Sequence, residues 1–236
     1  MKNMRAILTL LFTVTFVVSP FFTSPFSGFR ADQLPVPQID PPIQPAGYAF
    51  AIWGLIYGWL VVSAVYGIWK RPRNNAWNKV RTPLIISLAL GTPWLAVANA
   101  SAVWATVLIF AMAAAAIVAV ILAPKADRYF LRAPVAVYAG WLTAASFVSL
   151  GSTAAGYGVL FGALGWAYVG ILGALGVAAI VQLRSGAPAY GPTVIWALFA
   201  IIMANGTDPL TVSLMAGAGI AVMTLLTITS TGRPIS

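Results

Sequence analysis

A chain of 236 residues with no histidine, cysteine or glutamate has few routes to acid–base, nucleophilic or metal chemistry. Histidine is the usual general base near neutral pH, thiolates are the usual soft ligands and nucleophiles, and neither is present. The acids are Asp32, Asp40, Asp127 and Asp208, and each falls in a polar gap between apolar runs. No catalytic or metal site is expected, and the chain does not read as an enzyme. Its chemical resource is aromatic rings, which offer flat apolar surface with a polar handle on tryptophan and tyrosine. They are most ordered between Pro41 and Trp69, in PPIQPAGYAFAIWGLIYGWLVVSAVYGIW. There Phe50, Trp53, Tyr57, Leu60 and Ala64 recur at steps of three or four, placing them on one helical face. Tyr138 and Trp141 repeat the device one turn apart later in the chain.

Such rings need elements to hold them, and the composition says where those elements lie. With 61% hydrophobic and 7% charged residues, and a mean hydropathy of +0.92, the chain belongs in lipid. The predicted class is all-α, a polytopic integral membrane helix bundle of about eight transmembrane helices. Ala6 to Phe22 follows Lys2 and Arg5 and reads as a first helix or as a signal peptide. A loop over residues 20–45 carries Pro20, Pro25, Pro35, Pro37, Pro41, Pro42 and Pro45. It is stiff and extended, either a linker or a lid over the second helix. The second helix runs to Trp69. Thr82 and Pro83 read as the N-cap and first turn of a third, interrupted by Pro93. An alanine-rich fourth helix packs inside the bundle. The fifth spans about Pro134 to Leu150. A sixth, from about Gly158 to Leu183, repeats small residues at Gly158/Gly162 and Gly170/Ala174/Ala178, a close-packing pattern. A seventh runs from Pro192 to Ala204 and an eighth from Pro209 to Thr229, with Asp208 as its N-cap. No charge falls inside these spans, which argues against proton coupling.

The charges agree with this count. The net charge is +9, from 13 Lys and Arg against 4 acids. A nucleic-acid surface would cluster such residues on a polar face; here they sit in short gaps. If the helices alternate, Lys2, Arg5, Lys70, Arg71, Arg73, Lys79, Arg81, Lys125, Arg128, Arg132, Arg184 and Arg233 share one side, and Arg30 alone falls opposite. Cytoplasmic loops gather Lys and Arg, so both termini are expected in the cytoplasm of a bacterial inner membrane.

PAGYAFAIWGLIYG, then LALGTPW, then YAGWLTAAS together resemble the tryptophan-rich sensory protein (TspO/MBR, translocator protein) family over roughly residues 1–150. Trp53 and Tyr57 match the family's Trp-x-x-x-Tyr pair, Trp94 its third-helix tryptophan, and Tyr138, Trp141 and Ala145 its fifth-helix run. Phe50 and Tyr48 fall in the opening of the second helix. Two family asparagines are replaced, by Gly91 and Ser149. The resemblance implies a TspO-like five-helix bundle over 1–150, with residues 151–236 as additional transmembrane helices outside the ligand site. It further implies a membrane-embedded sensory protein that binds a planar lipophilic small molecule, a porphyrin or a sterol-like lipid, beneath the first loop. Tyr48, Phe50, Trp53, Tyr57, Trp94, Tyr138, Trp141 and Ala145 would line the pocket. Porphyrin or haem would be ligand, not resident cofactor, held by stacking because the usual axial ligands are missing. Facilitative passage of a lipophile is the alternative. The lipid bilayer is the expected partner, nucleic acid is not, and the resemblance allows a homodimer. Trp59, Trp69, Trp77 and Trp104 lie outside the motifs and are expected to pack or to sit at the membrane interface.

Overall fold

The computed structural model describes residues 2–231, and those residues form a bundle without β-strands. Its helices are α1 (Lys2–Val18), α2 (Ile52–Lys70), α3 (Asn75–Gly91), α4 (Trp94–Ala100), α5 (Ala102–Leu122), α6 (Ala133–Gly156), α7 (Ala163–Ser185), α8 (Tyr190–Asn205) and α9 (Leu210–Thr231). Helices α3 and α4 form one span broken at Thr92 and Pro93. Seven spans are long and apolar enough to cross a membrane, and α8 is a shorter apolar helix. The protein is therefore a polytopic membrane-helix bundle of seven candidate spans and one shorter apolar helix. Arg233 lies outside the described residues.

Helix α6 is the axis, buried along most of its length and packed against α2, α5, α7 and α8. Alanine makes this packing close. Ala105, Ala113, Ala116 and Ala119 of α5 are buried, as the alanine-rich pattern predicted. Gly170, Ala174 and Ala178 of α7 are buried too, and a methyl group at Gly170 would collide with Ile43 Cδ1. Gly158 and Gly162 do not belong to that stripe. They lie in the loop before α7, Gly158 with φ of +65°, and neither has a neighbour where a side chain would point. Several hydroxyl groups inside the spans are satisfied locally or across helices, as apolar surroundings demand. Thr13 donates to Thr9 O at 2.7 Å, Ser87 Oγ to Met112 O at 2.8 Å, and Thr143 Oγ1 pairs with Tyr190 OH at 2.9 Å.

The third span starts earlier than Thr82 and Pro83 suggested. Asn74 is the N-cap, accepting from the Trp77 N–H at 3.2 Å, and Pro83 sits within α3. Lys79 and Arg81 thus fold into helix, and Arg81 is buried inside a span that was expected to carry no charge. Its guanidinium donates to Gly67 O and Asn78 Oδ1 at 2.8 Å, and to Arg71 O and Pro72 O at 3.1 and 3.2 Å. Of these acceptors, Gly67 O belongs to the last turn of α2, whose carbonyls the helix itself leaves without donors, and Arg71 O and Pro72 O lie in the turn that follows. Arg132, in a π-helical turn (Arg128–Arg132) leading into α6, does the same for the Ser185 carbonyl at the end of α7.

Around Arg81 the same end of the bundle is tied together. Arg71 Nε and Nη2 each donate to Asp127 at 3.2 Å, and Trp77 Nε1 donates to Asp127 Oδ2 at 2.7 Å. Burial would raise the Asp127 carboxyl, but the bonds from Arg71 and Trp77 outweigh it and hold the group below the usual aspartate range. Arg5 of α1 donates to Asn78 O at 3.3 Å, so the N-terminus and the two following basic gaps share one end, as the loop charges required.

Candidate functional site

At the opposite end, the proline-rich loop folds down over the bundle and encloses a cavity of about 280 Å³. Its prolines hold the backbone extended, and the polar groups this exposes are bonded to the helices. The Val36 N–H donates to Gly156 O at 2.8 Å, the Ala46 N–H to Ala200 O at 3.0 Å, and Gln33 Nε2 to Ala98 O at 2.8 Å. Asn205 and Asn99 donate back, to Pro42 O at 2.8 Å and Ser24 O at 3.1 Å. Ile43 and Leu34 are buried as plugs against α6 and α7. Pro20, Pro25, Phe26, Phe29, Gln44 and Pro45 face the cavity, so the segment is a lid and not a linker. Its tip is closed by Arg30 and Asp32, 3.0 Å apart; the bond from Arg30 lowers the Asp32 carboxyl.

The cavity wall is aromatic. Trp53 and Tyr57 stack with centroids 5.3 Å apart and planes 27° from parallel. Phe16 of α1 sets its edge against both, at 6.0 and 5.3 Å. Trp141 of α6 meets Trp53 at 6.2 Å and Phe50 at 5.8 Å, both edge-on. Trp94 closes the α4 side beneath Phe26, at 5.2 Å, with its indole N–H donated to Ala105 O at 3.0 Å. Trp141 is 2% exposed, and its indole N–H has no partner within the protein.

Six of the eight candidate residues therefore line one cavity: Phe50, Trp53, Tyr57, Trp94, Trp141 and Ala145. Tyr138 and Tyr48 do not. Residues three apart on an α-helix differ by about 60° in direction, which turns Tyr138 behind the wall, where its hydroxyl bonds Ser87 Oγ at 2.9 Å. Tyr48 belongs to a 3₁₀ turn (Gly47–Ala51) outside α2 and packs on Trp196 of α8 at 5.6 Å. The motifs missed Phe16, Phe26 and Phe29, although a Phe-x-x-Phe pair in a loop rich in Pro and Ser was a visible signal. They also missed Ala197 and Ile201 of α8, which line the cavity. Of the last three helices, α8 thus contributes to a wall that was expected to be built without it; an apolar pair in an apolar helix carries no signal of this. The other tryptophans stand apart from the cavity. Trp69 and Trp104 are exposed on the outer surface, Trp59 donates to Tyr129 O at 2.8 Å, and Trp77 is in the Asp127 network.

Seven apolar spans and the shorter α8 around a lid-covered aromatic cavity define a polytopic membrane protein built about an internal pocket. A family model described as TSPO-like protein matches residues 5–229, and the chain belongs to that family. The match runs through α7–α9 and is not confined to the first five spans. No curated protein and no solved structure matches the chain.

Proposed function

We propose that the protein binds a planar lipophilic small molecule, a tetrapyrrole or a sterol-like lipid, in the cavity between its lid and α6, and that it acts as a sensor of that molecule. The observation that carries this reading is the meeting of Phe16, Phe50, Trp53, Tyr57, Trp94 and Trp141 around one cavity, from five separate segments. Flat rigid rings on several sides of a concave site suit a flat apolar guest. The reading includes no catalytic step, because the wall offers no nucleophile–base pair, and no metal-holding cluster of acids occurs among the described residues. Facilitative passage is less well supported. A route to the other end would have to open the Tyr138–Ser87 contact and the network around Arg81 and Asp127. The bacterial inner membrane, with both termini cytoplasmic, is the orientation that the loop charges favour.

Tryptophan-fluorescence titration with protoporphyrin IX dimethyl ester, an uncharged porphyrin, tests the reading. Trp53→Ala or Trp141→Ala should weaken binding by about 2 kcal/mol, roughly thirtyfold, as loss of an aromatic anchor does. Trp104→Ala removes an exposed ring of the outer surface and should leave affinity unchanged. Equal losses at Trp53 and Trp104 would reduce these rings to packing and end the proposal.

A further inference from the structure

The proposed function leaves the charge of the guest open, and the polar groups of the cavity address it. Every side chain in the cavity wall is uncharged, among the described residues. Its polar atoms are neutral and unevenly placed. Ser19, Ser24, Gln44, Ser149 and Ser152 stand at the lid end, whereas Tyr57 and Trp141 lie deeper, Trp141 about 16 Å below Ser152 along α6. The deep end holds a donor without an acceptor, the buried indole N–H of Trp141. A buried donor that bonds nothing in the protein is a standing cost, which an acceptor on the guest would remove.

The lid end is hostile to anions. Among the described residues its one cation, Arg30, is engaged by Asp32, and Asp40 and Asp208 add two further acids at the same end. Arg5, Arg71, Arg81 and Arg132 are gathered at the far end of the bundle, beyond the Tyr138 wall. An ionised carboxylate in the cavity would lose its hydration without meeting a cation, an arrangement that folded proteins avoid.

Resting on the binding function proposed above, we infer that the cavity selects an uncharged lipophile. Its flat apolar body lies among Phe16, Trp53, Tyr57 and Trp141, a neutral acceptor such as a hydroxyl, ether, ester or carbonyl oxygen receives the Trp141 N–H, and carboxylated relatives of the same ring system are rejected.

Two matched pairs of probes separate charge from shape: protoporphyrin IX with its dimethyl ester, and a sterol with its hemisuccinate. Each is titrated by intrinsic fluorescence against the full chain in neutral detergent, with Trp53→Ala as the control for partition into micelles. The neutral member of each pair should bind at least tenfold more tightly. Trp141→Phe, which keeps the ring and removes the N–H, should cost the neutral probes about three- to tenfold. Ser24→Lys, a change on the exposed lid that places a cation at the cavity mouth, should restore binding of the carboxylated members. Carboxylated probes that bind as tightly as their neutral partners overturn the charge selection but leave the binding function standing. An unchanged affinity in Trp141→Phe overturns the role of the N–H. Failure of all four probes to bind beyond the Trp53→Ala control defeats the binding function itself.

Discussion

At Gly91 the neighbouring ring explains the residue. The family pattern has an asparagine here, but a Cβ on Gly91 would stand 2.7 Å from Phe16 Cε2 and 3.0 Å from Met112 Cε. Phe16 occupies the volume that a side chain from α3 would fill, and it lends that volume to the aromatic wall. Gly91→Ala should therefore lower stability by about 1–3 kcal/mol through overpacking. Phe16→Leu in the same chain should recover much of the loss; thermal unfolding in detergent measures both. A Gly91→Ala protein as stable as the parent would show that the ring is not held there. Residues were legible in proportion to their motif. Trp53, Tyr57, Trp94 and Trp141 were placed by matched spacing, whereas Phe16 is one apolar residue in an apolar run and becomes visible only through the space that Gly91 leaves.

Among the elements, the lid and the clasp at the basic end show what hydropathy reads and what it misses. The spans were legible because an apolar run of that length has few other fates. The start of α3 was not, since Lys79 and Arg81 look like loop until their partners are known. Arg81 is tolerated in the helix because the carbonyls ending α2 need donors. The bidentate Arg71–Asp127 pair and the Trp77 bond then join the end of α2 and the start of α3 to the segment before α6. Asp127→Ala should cost about 1–3 kcal/mol by leaving the Trp77 N–H without an acceptor. The carboxyl's lowered pKa gives this contribution a pH dependence. It is fully present above the ordinary aspartate value of 3.8, at which the unfolded group titrates, and is lost as pH falls through the lower folded-state value. Unfolding temperatures followed downward from pH 6 should fall less steeply in Asp127→Asn than in the parent. Parallel curves would show that the clasp carries no proton linkage.

For the whole molecule the first expectation is orientation. Asn75 and Thr207 are exposed at opposite ends, and the chain has no native cysteine. Single cysteines there should respond oppositely to an impermeant thiol reagent in intact cells. Thr207→Cys should label and Asn75→Cys should not; the reverse pattern would invert the topology. A mechanical consequence follows from α8. At 16 residues it is about 24 Å long, against a hydrocarbon core of about 30 Å. Where such a short helix meets lipid, the mismatch is taken up by local thinning of the bilayer or by a shift of the helix toward one face. Through Ala200 O, Asn205 and Trp196, which donates to Ala49 O at 3.2 Å, α8 also grips the lid and the turn before α2. Membrane thickness is therefore expected to act on the lid as tension acts on a drumhead's rim. Ligand release from nanodiscs of 18-carbon lipids should be faster than from 14-carbon ones, and Asn205→Ala should reduce the difference; identical rates in both bilayers would uncouple the short helix from the lid.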